Sequence, residues 1–290
     1  MAGTTGSSLS DHVAGWRPEP ITEVDTLDAA QATRLAATLG LSETFADGDP
    51  LPLPWHWIFF SEWPQTAELG ADGHPAHGHF LPPIPDRRRM FAGARISSTA
   101  PLALGTRTEK VSSVASMTEK HGRTGDMLFV TVRSEYRQGG TVVLTEDQDL
   151  VYRSDSGNAR PFDRPSPDLA DATAPWTAEP TPDTPLLFRY SALTSNAHRI
   201  HYDRPYATGV EGYPDLVVHG PLLATYMAEL ARAHHHGKSL RTFDFRLRSP
   251  LFLGDRFRVE ATPDDDGDAV ELAVVTGQGT VHVSGKGEFA

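Results

Sequence analysis

Between positions 196 and 203 the sequence sets Asn196, His198, His201 and Asp203 within eight residues. A neutral imidazole titrates in the range where a side chain can both take and return a proton near pH 7. A side-chain amide can orient a water but carries no proton at that pH. A second segment, Gly212 to Leu223, follows closely and places His219 and Gly220 just ahead of an apolar run. Backbone amides at such a helix start are unpaired, and the helix dipole favours negative charge developing there. Gly220 would allow a reacting group to approach the backbone closely. Together these residues suit proton transfer at a carbon or oxygen beside an anion-stabilising turn. His219 would shape that turn.

The composition narrows the chemistry. No cysteine occurs in the 290 residues, which excludes a thiol nucleophile, a thiolate zinc site, an iron–sulfur cluster and a disulfide framework. With 38 acidic against 26 basic residues the net charge is −12, unlike a nucleic-acid groove, which gathers Lys and Arg. No run of about 18 apolar residues exists to span a bilayer. Met1 to Asp11 is small and polar, without a basic n-region or apolar h-region, so a cytoplasmic enzyme is expected.

The elements that must hold the histidines are legible after them. Leu222, Leu223, Tyr226, Met227, Leu230 and Ala231 follow Gly220-Pro221 at helical spacing, predicting a buried helix over 220–236 with proline in its first turn. Phe243, Phe245 and Leu247 then alternate with Asp244, Arg246 and Arg248. Similar runs pass through Phe257, Val259 and Ala261, through Val270, Leu272 and Val274, and through Val281 and Val283. Period-two alternation predicts antiparallel strands with one buried face, joined by short turns such as 264–268. One long helix wrapped by an antiparallel sheet is the outline of a hot-dog fold.

Seven of the 23 prolines fall between Pro161 and Pro185, a stretch able to form neither helix nor central strand. It reads as a linker (161–185) between an N-terminal portion (1–160) and a C-terminal one (186–290). The N-terminal portion is the less clear. Helical spacing covers Thr26 to Leu39, and Met127–Arg133 with Thr141–Tyr152 reads as a hairpin about Gly139-Gly140. Between them lie Trp55, Trp57, Phe59, Phe60 and Trp63, then Leu81-Pro82-Pro83-Ile84-Pro85, then Arg87, Arg88 and Arg89. A second, degenerate hot dog is expected here, giving an α+β double hot dog with two antiparallel sheets, each wrapping a long helix.

The two histidine segments resemble the signature of the MaoC-like enoyl-CoA hydratases and dehydratases: an acid, four residues, a histidine, then the leading turn of the hot-dog helix. Here Asn196 stands at the acid's position and His201 at the histidine's. In the N-terminal portion five stretches resemble the type 2 hydroxyacyl-thioester dehydratase branch, which includes mesaconyl-C4-CoA and itaconyl-CoA hydratases. They are Leu69-Gly-Ala-Asp-Gly-His-Pro75, Gly78 to Pro85, Arg89-Met-Phe-Ala-Gly-Ala-Arg95, Lys120 to Gly125 and Glu146 to Arg153. The resemblance covers most of residues 50–260. It implies reversible hydration of a 2-enoyl-CoA, or dehydration of a 3-hydroxyacyl-CoA, on a short dicarboxylic acyl group such as mesaconyl or itaconyl. Asn196 and His201 would be catalytic, and His219, Gly220 and Arg95 would bind substrate. No metal or organic cofactor is implied, since coenzyme A arrives with the substrate, and the chains are expected to pair as homo-oligomers.

The departure at Asn196 leaves the second proton to His201 itself, to Asp203, to His198 or to the water. Two other readings stand beside hydration. A hot-dog thioesterase would use a carboxylate near the helix, where only Glu229 follows; a non-catalytic acyl-thioester-binding subunit would tolerate Asn196. The remaining conspicuous residues have ordinary readings: His234-His235-His236 as a solvated helix end, the tryptophans as core or as a lid over the acyl pocket. Arg87–Arg89 and Arg95 read either as structural or as a grip on a phosphate or carboxylate.

Overall fold

A computed structural model describes residues 8–84, 87–122, 125–154, 162, 164–235, 237–277 and 279–290. Ten strands form one antiparallel sheet in the order β1-β3-β4-β5-β2-β7-β10-β9-β8-β6. Their ranges are β1 Ile21–Thr26, β2 Arg87–Ser98, β3 Arg107–Gly122, β4 Gly125–Gln138 and β5 Thr141–Ser154, then β6 Trp176–Ala178, β7 Leu240–Leu247, β8 Arg258–Pro263, β9 Ala269–Thr276 and β10 Thr280–Phe289. The helices are α1 Leu9–Val13, α2 Ala29–Leu39, α3 Thr184–Leu193, α4 Arg204–Gly209 and α5 Gly220–His234. This is the double hot dog expected from the sequence, except that the two expected sheets are joined through β2 and β7 into one.

The C-terminal alternation translates directly. Phe243 and Phe245 on β7 and Leu272 and Val274 on β9 are buried, and they pack with Leu222, Leu223, Met227, Leu230 and Ala231 of α5. Burying side chains of this size contributes roughly 1.5–3 kcal/mol each, which fixes α5 against the sheet. α5 ends at His234, where Ala231 O accepts from the His235 amide; His236 lies outside the described residues. His234 stacks on Trp176 and His235 hydrogen-bonds to Gly267 O, so these two histidines close the helix end.

The two halves meet at β2 and β7, paired from Gly93↔Arg246 to Ser97↔Thr242. The seam depends on Gly93. Its φ is +146°, and a Cβ there would overlap the Phe245 carbonyl oxygen. The register with β5 shifts between Phe91 and Gly93, a bulge that resets which side chains face inward. Within the proline-rich stretch Trp176–Ala178 pairs with β8 as the last strand of the sheet, where missing amide donors are tolerated. The predicted helix at 26–39 begins later, at Ala29, because Thr26 ends β1 and Asp28 caps the helix by accepting from the Ala30 amide.

The aromatic segment 55–60 is core. Trp55 is buried and donates through Nε1 to Glu229 of α5 at 2.9 Å, and Trp57 packs edge-on to Phe91 and Phe245. Trp63 is exposed. A buried polar knot holds the same region: the Glu146 carboxylate contacts His56 Nε2 at 3.1 Å and accepts from Trp57 Nε1, Tyr136 Oη and Gln148 Nε2. Burial works to raise the Glu146 pKa, but His56 and these donors bring it below its ordinary value. A second core under α1 joins Leu9, Val13, Ile84, Leu128, Val130 and Tyr152. No described helix is long and apolar enough to cross a membrane.

Candidate active site

His201 ends a short 3-10 turn, Arg199–His201, and is buried. Its Nδ1 lies 2.8 Å from Val217 O. A carbonyl can only accept, so Nδ1 carries the proton and Nε2 keeps the free lone pair. Burial lowers the His201 pKa to about 4, against the smaller opposing effect of the Val217 bond. The ring is therefore neutral at pH 7.

His219 lies flat against it, ring centroids 3.7 Å apart and planes 17° apart. Its Nε2 is 2.8 Å from Ser191 Oγ on α3, and the Tyr190 ring closes the other side at 5.1 Å. Burial, then the neighbouring histidines, push its pKa well down. His219 thus precedes α5 as the sequence predicts, and its side chain makes no cap hydrogen bond. Its contacts make it a positioning residue for the His201 ring. Gly220, the first residue of α5, faces Leu247, whose Cδ1 a Cβ would meet. Among the described residues neither the Gly220 nor the Leu222 amide is paired with a backbone carbonyl, and Pro221 has none to pair.

On the opposite side His198 meets His201 edge-to-face at 5.6 Å, and His74 lies over His198 at 4.0 Å. His74 comes from the N-terminal half. Its Nδ1 is 2.9 Å from Asp72 Oδ2, and its backbone amide donates to Asp72 Oδ1. Four imidazoles thus run in a row from Asp72 to Ser191. Burial works to raise the Asp72 pKa, but the His74 hydrogen bond and charge hold it at about 2. His74 is lowered by burial, partly offset by Asp72, and lowered further by Arg89; His198 is lowered to about 2 by burial and by His74 and His201.

The turn that brings Asp72 and His74 is clamped onto the segment that carries His198 and His201. The Arg199 amide donates to Asp72 O at 2.8 Å and Arg199 Nη1 to Ala71 O at 2.9 Å. Gly73, at φ +88°, packs so close that a Cβ would overlap the Ala197 carbonyl oxygen. The sequence motif around Asp72 and His74 was visible, but no role followed from it. The signal was a carboxylate two residues from a histidine, flanked by glycines.

The other predicted residues fall into place differently. Asn196 Oδ1 accepts from the His198 amide at 3.0 Å, making Asn196 the turn that presents His198. Asp203 is held by Arg199 at 2.7 and 3.0 Å and caps α4 through the Tyr206 amide, so it is engaged away from His201. Arg95 corrects an expectation. Ala94 and Ile96 are buried on the inner face of β2, so Arg95 points to the outer face, where Asp149 grips it at 2.5 and 3.1 Å. Among the described residues no hydrogen bond or ion pair joins it to the histidine row. Two groups among the described residues bring three potential metal ligands within 4.8 Å of one another: Asp72, His74 and His198, and the half-buried Glu119 with the exposed His121 and Asp126. In the first group the Arg89 charge that lowers both histidines weighs against a cation.

The family model of hydroxyacyl-thioester dehydratase type 2 matches residues 54–253. The chain is 44% identical over 262 residues to mesaconyl-C(4)-CoA hydratase of Chloroflexus aurantiacus, covering 90% of this chain and 91% of that one. It is 30% identical over 230 residues to the mitochondrial hydroxyacyl-thioester dehydratase type 2 of Schizosaccharomyces pombe, covering 71% and 75%. Among solved structures it superposes on a MaoC-like dehydratase from Phytophthora capsici with a TM-score of 0.70 at 13% identity, covering 97% and 98%. HtdX of Mycobacterium tuberculosis follows at a TM-score of 0.65 and 16% identity, covering 93% and 98%. At such identities these two structures speak for the fold.

Proposed function

The chain belongs to the hydroxyacyl-thioester dehydratase type 2 family, and from that premise we propose that it is a hydro-lyase which reversibly hydrates a 2-enoyl-CoA, with a short dicarboxylic acyl group such as mesaconyl as substrate. The observation that carries the proposal is His201: buried, held through Nδ1–H to Val217 O, and left with an unprotonated Nε2 beside the start of α5.

In the hydration direction His201 Nε2 takes a proton from water as the oxygen bonds to the β-carbon. The displaced electron pair moves to the thioester oxygen, where the Gly220 amide at the start of α5 stabilises it. The imidazolium then returns its proton to the α-carbon. One neutral imidazole completes this cycle, which accommodates an Asn at position 196. Asn196 acts through the turn that presents His198, and His219 through the plane of His201. The N-terminal half adds the Asp72–His74 wall. No metal or organic cofactor takes part in this proposal, and coenzyme A arrives as part of the substrate.

The thioesterase alternative has less support. The carboxylate that α5 itself carries, Glu229, is held by Trp55 Nε1 and by Arg232 at 2.6 and 3.0 Å. A panel of enoyl-CoA and saturated acyl-CoA esters tests the reading, following enoyl absorbance and free thiol together. Loss of absorbance without thiol is the expected result. Thiol release without hydration, or neither change, would overturn it.

A further inference from the structure

Resting on the hydration reading above, we propose that Arg89 binds the free carboxylate of a dicarboxylic acyl thioester and is the residue that selects this substrate class. Of Arg88, Arg89 and Arg95, it is the one on the inner face of β2. Phe91 packs inward against Trp57 and Phe245, and Arg89, two residues earlier on the same strand, shares its face. Its cross-strand neighbour is Tyr152, fully buried. Arg88 pairs with Glu211, whose charge also acts on His74, and Arg95 pairs with Asp149 on the outer face of β2.

Most arginines around the site have a carboxylate. Arg199 has Asp203, Arg204 has Asp215, and Arg232 has Glu229 and Glu43. Arg89 is half-buried, and among the described residues no carboxylate pairs with it. Its charge is felt by His74 and His198, the two rings at the Asp72 end of the row. A partly desolvated guanidinium without a protein acceptor presents a planar fork that matches a carboxylate in two parallel hydrogen bonds. The same charge makes the spot unfavourable for a cation.

The chemistry of the substrate fits this placement. In a mesaconyl C4-thioester the free carboxylate is separated from the thioester carbonyl only by the two carbons of the double bond. A residue that reads it must lie within reach of the base that hydrates that bond. Arg89 meets this condition through His198, whose ring touches His201. The phosphates of coenzyme A lie at the far end of the pantetheine arm.

The test measures kcat/KM of wild type, Arg89→Gln and Arg89→Lys on mesaconyl-CoA and crotonyl-CoA, and on the N-acetylcysteamine thioesters of both acids. The expected result is a preference for mesaconyl over crotonyl that falls roughly 10- to 100-fold in Arg89→Gln, with either thiol carrier. Arg89→Lys, which keeps the charge and loses the fork, falls between, and it carries the test if the glutamine variant fails to fold. An unchanged mesaconyl-to-crotonyl ratio overturns the proposal. So does a loss shared equally by both coenzyme A esters and absent from the phosphate-free ones, which would assign Arg89 to a phosphate. Wild type that hydrates none of the four esters overturns the hydration reading itself, and this proposal with it.

Discussion

Replacing Gly73 with alanine would pull the two halves of the site apart without altering any of its side chains. Gly73 holds φ at +88°, a conformation that costs an L-residue roughly 1–2 kcal/mol. The added Cβ would overlap the Ala197 carbonyl oxygen and lie 2.9 Å from its carbon. Both are backbone atoms, so no rotamer change relieves the contact. If the turn lifts, it forfeits the two Arg199 hydrogen bonds to Ala71 O and Asp72 O, each contributing about 0.5–1.5 kcal/mol. The penalty is then on the order of 2–5 kcal/mol. It falls on a turn that can detach locally, so the fold survives while His74 leaves His198. Hydration kcat/KM is expected to drop at least tenfold, with a Tm lowered by no more than about 10 °C and a native far-UV spectrum. Gly48→Ala is the control, because Gly48 has φ +92° and nothing within 4 Å of a Cβ. If Gly73→Ala matched Gly48→Ala in both rate and Tm, the clamp would be irrelevant and the site would belong to the C-terminal half alone.

The pH dependence separates activity from stability. With His201 lowered to about 4, the base is unprotonated through neutrality, so kcat/KM should hold as pH falls past 6.5 and decline only near 4. Stability behaves differently: His74, His198, His201, His219 and His282 all bind protons less readily folded than unfolded. The unfolded chain therefore gains protons first, and Tm should fall as pH drops from about 6.5 toward 4, a trend that calorimetry at a series of pH values checks. Asn196→Ala removes the acceptor of the His198 amide, so it should cost about 0.5–1.5 kcal/mol in denaturant titration and lower the hydration rate more than Asn196→Asp, which keeps that acceptor.

The C-terminal half was largely legible because its buried face is written in period two: Phe243 and Phe245 alternate with charged neighbours, and only one residue in two meets α5. α5 itself was legible from Leu222 to Ala231 for the matching reason at period 3.6. β3 was not, since Arg107–Gly122 is mostly polar and takes its form from pairing with β1 and β4. The β2–β7 seam was equally invisible, being a contact between residues about 150 apart in sequence that local pattern does not encode. Arg95 shows the same limit at the site. Its type suited an anion grip, but the bulge before Gly93 sets the face each β2 side chain takes, and it turns Arg95 outward. His201 and Asn196 could be singled out because their spacing is local. Asp72 and His74 could not be given roles, because only the docking of Gly73 on Ala197 brings them to His198.

The central claim is that His201 is the base that hydrates an enoyl thioester. The direct measurement follows the absorbance of mesaconyl-CoA with wild type, His201→Ala and His201→Gln at neutral pH. Wild type should consume the enoyl ester, and both variants should lose roughly 10²- to 10⁴-fold in rate while keeping the native far-UV spectrum. Hydration by His201→Ala at the wild-type rate would contradict the account.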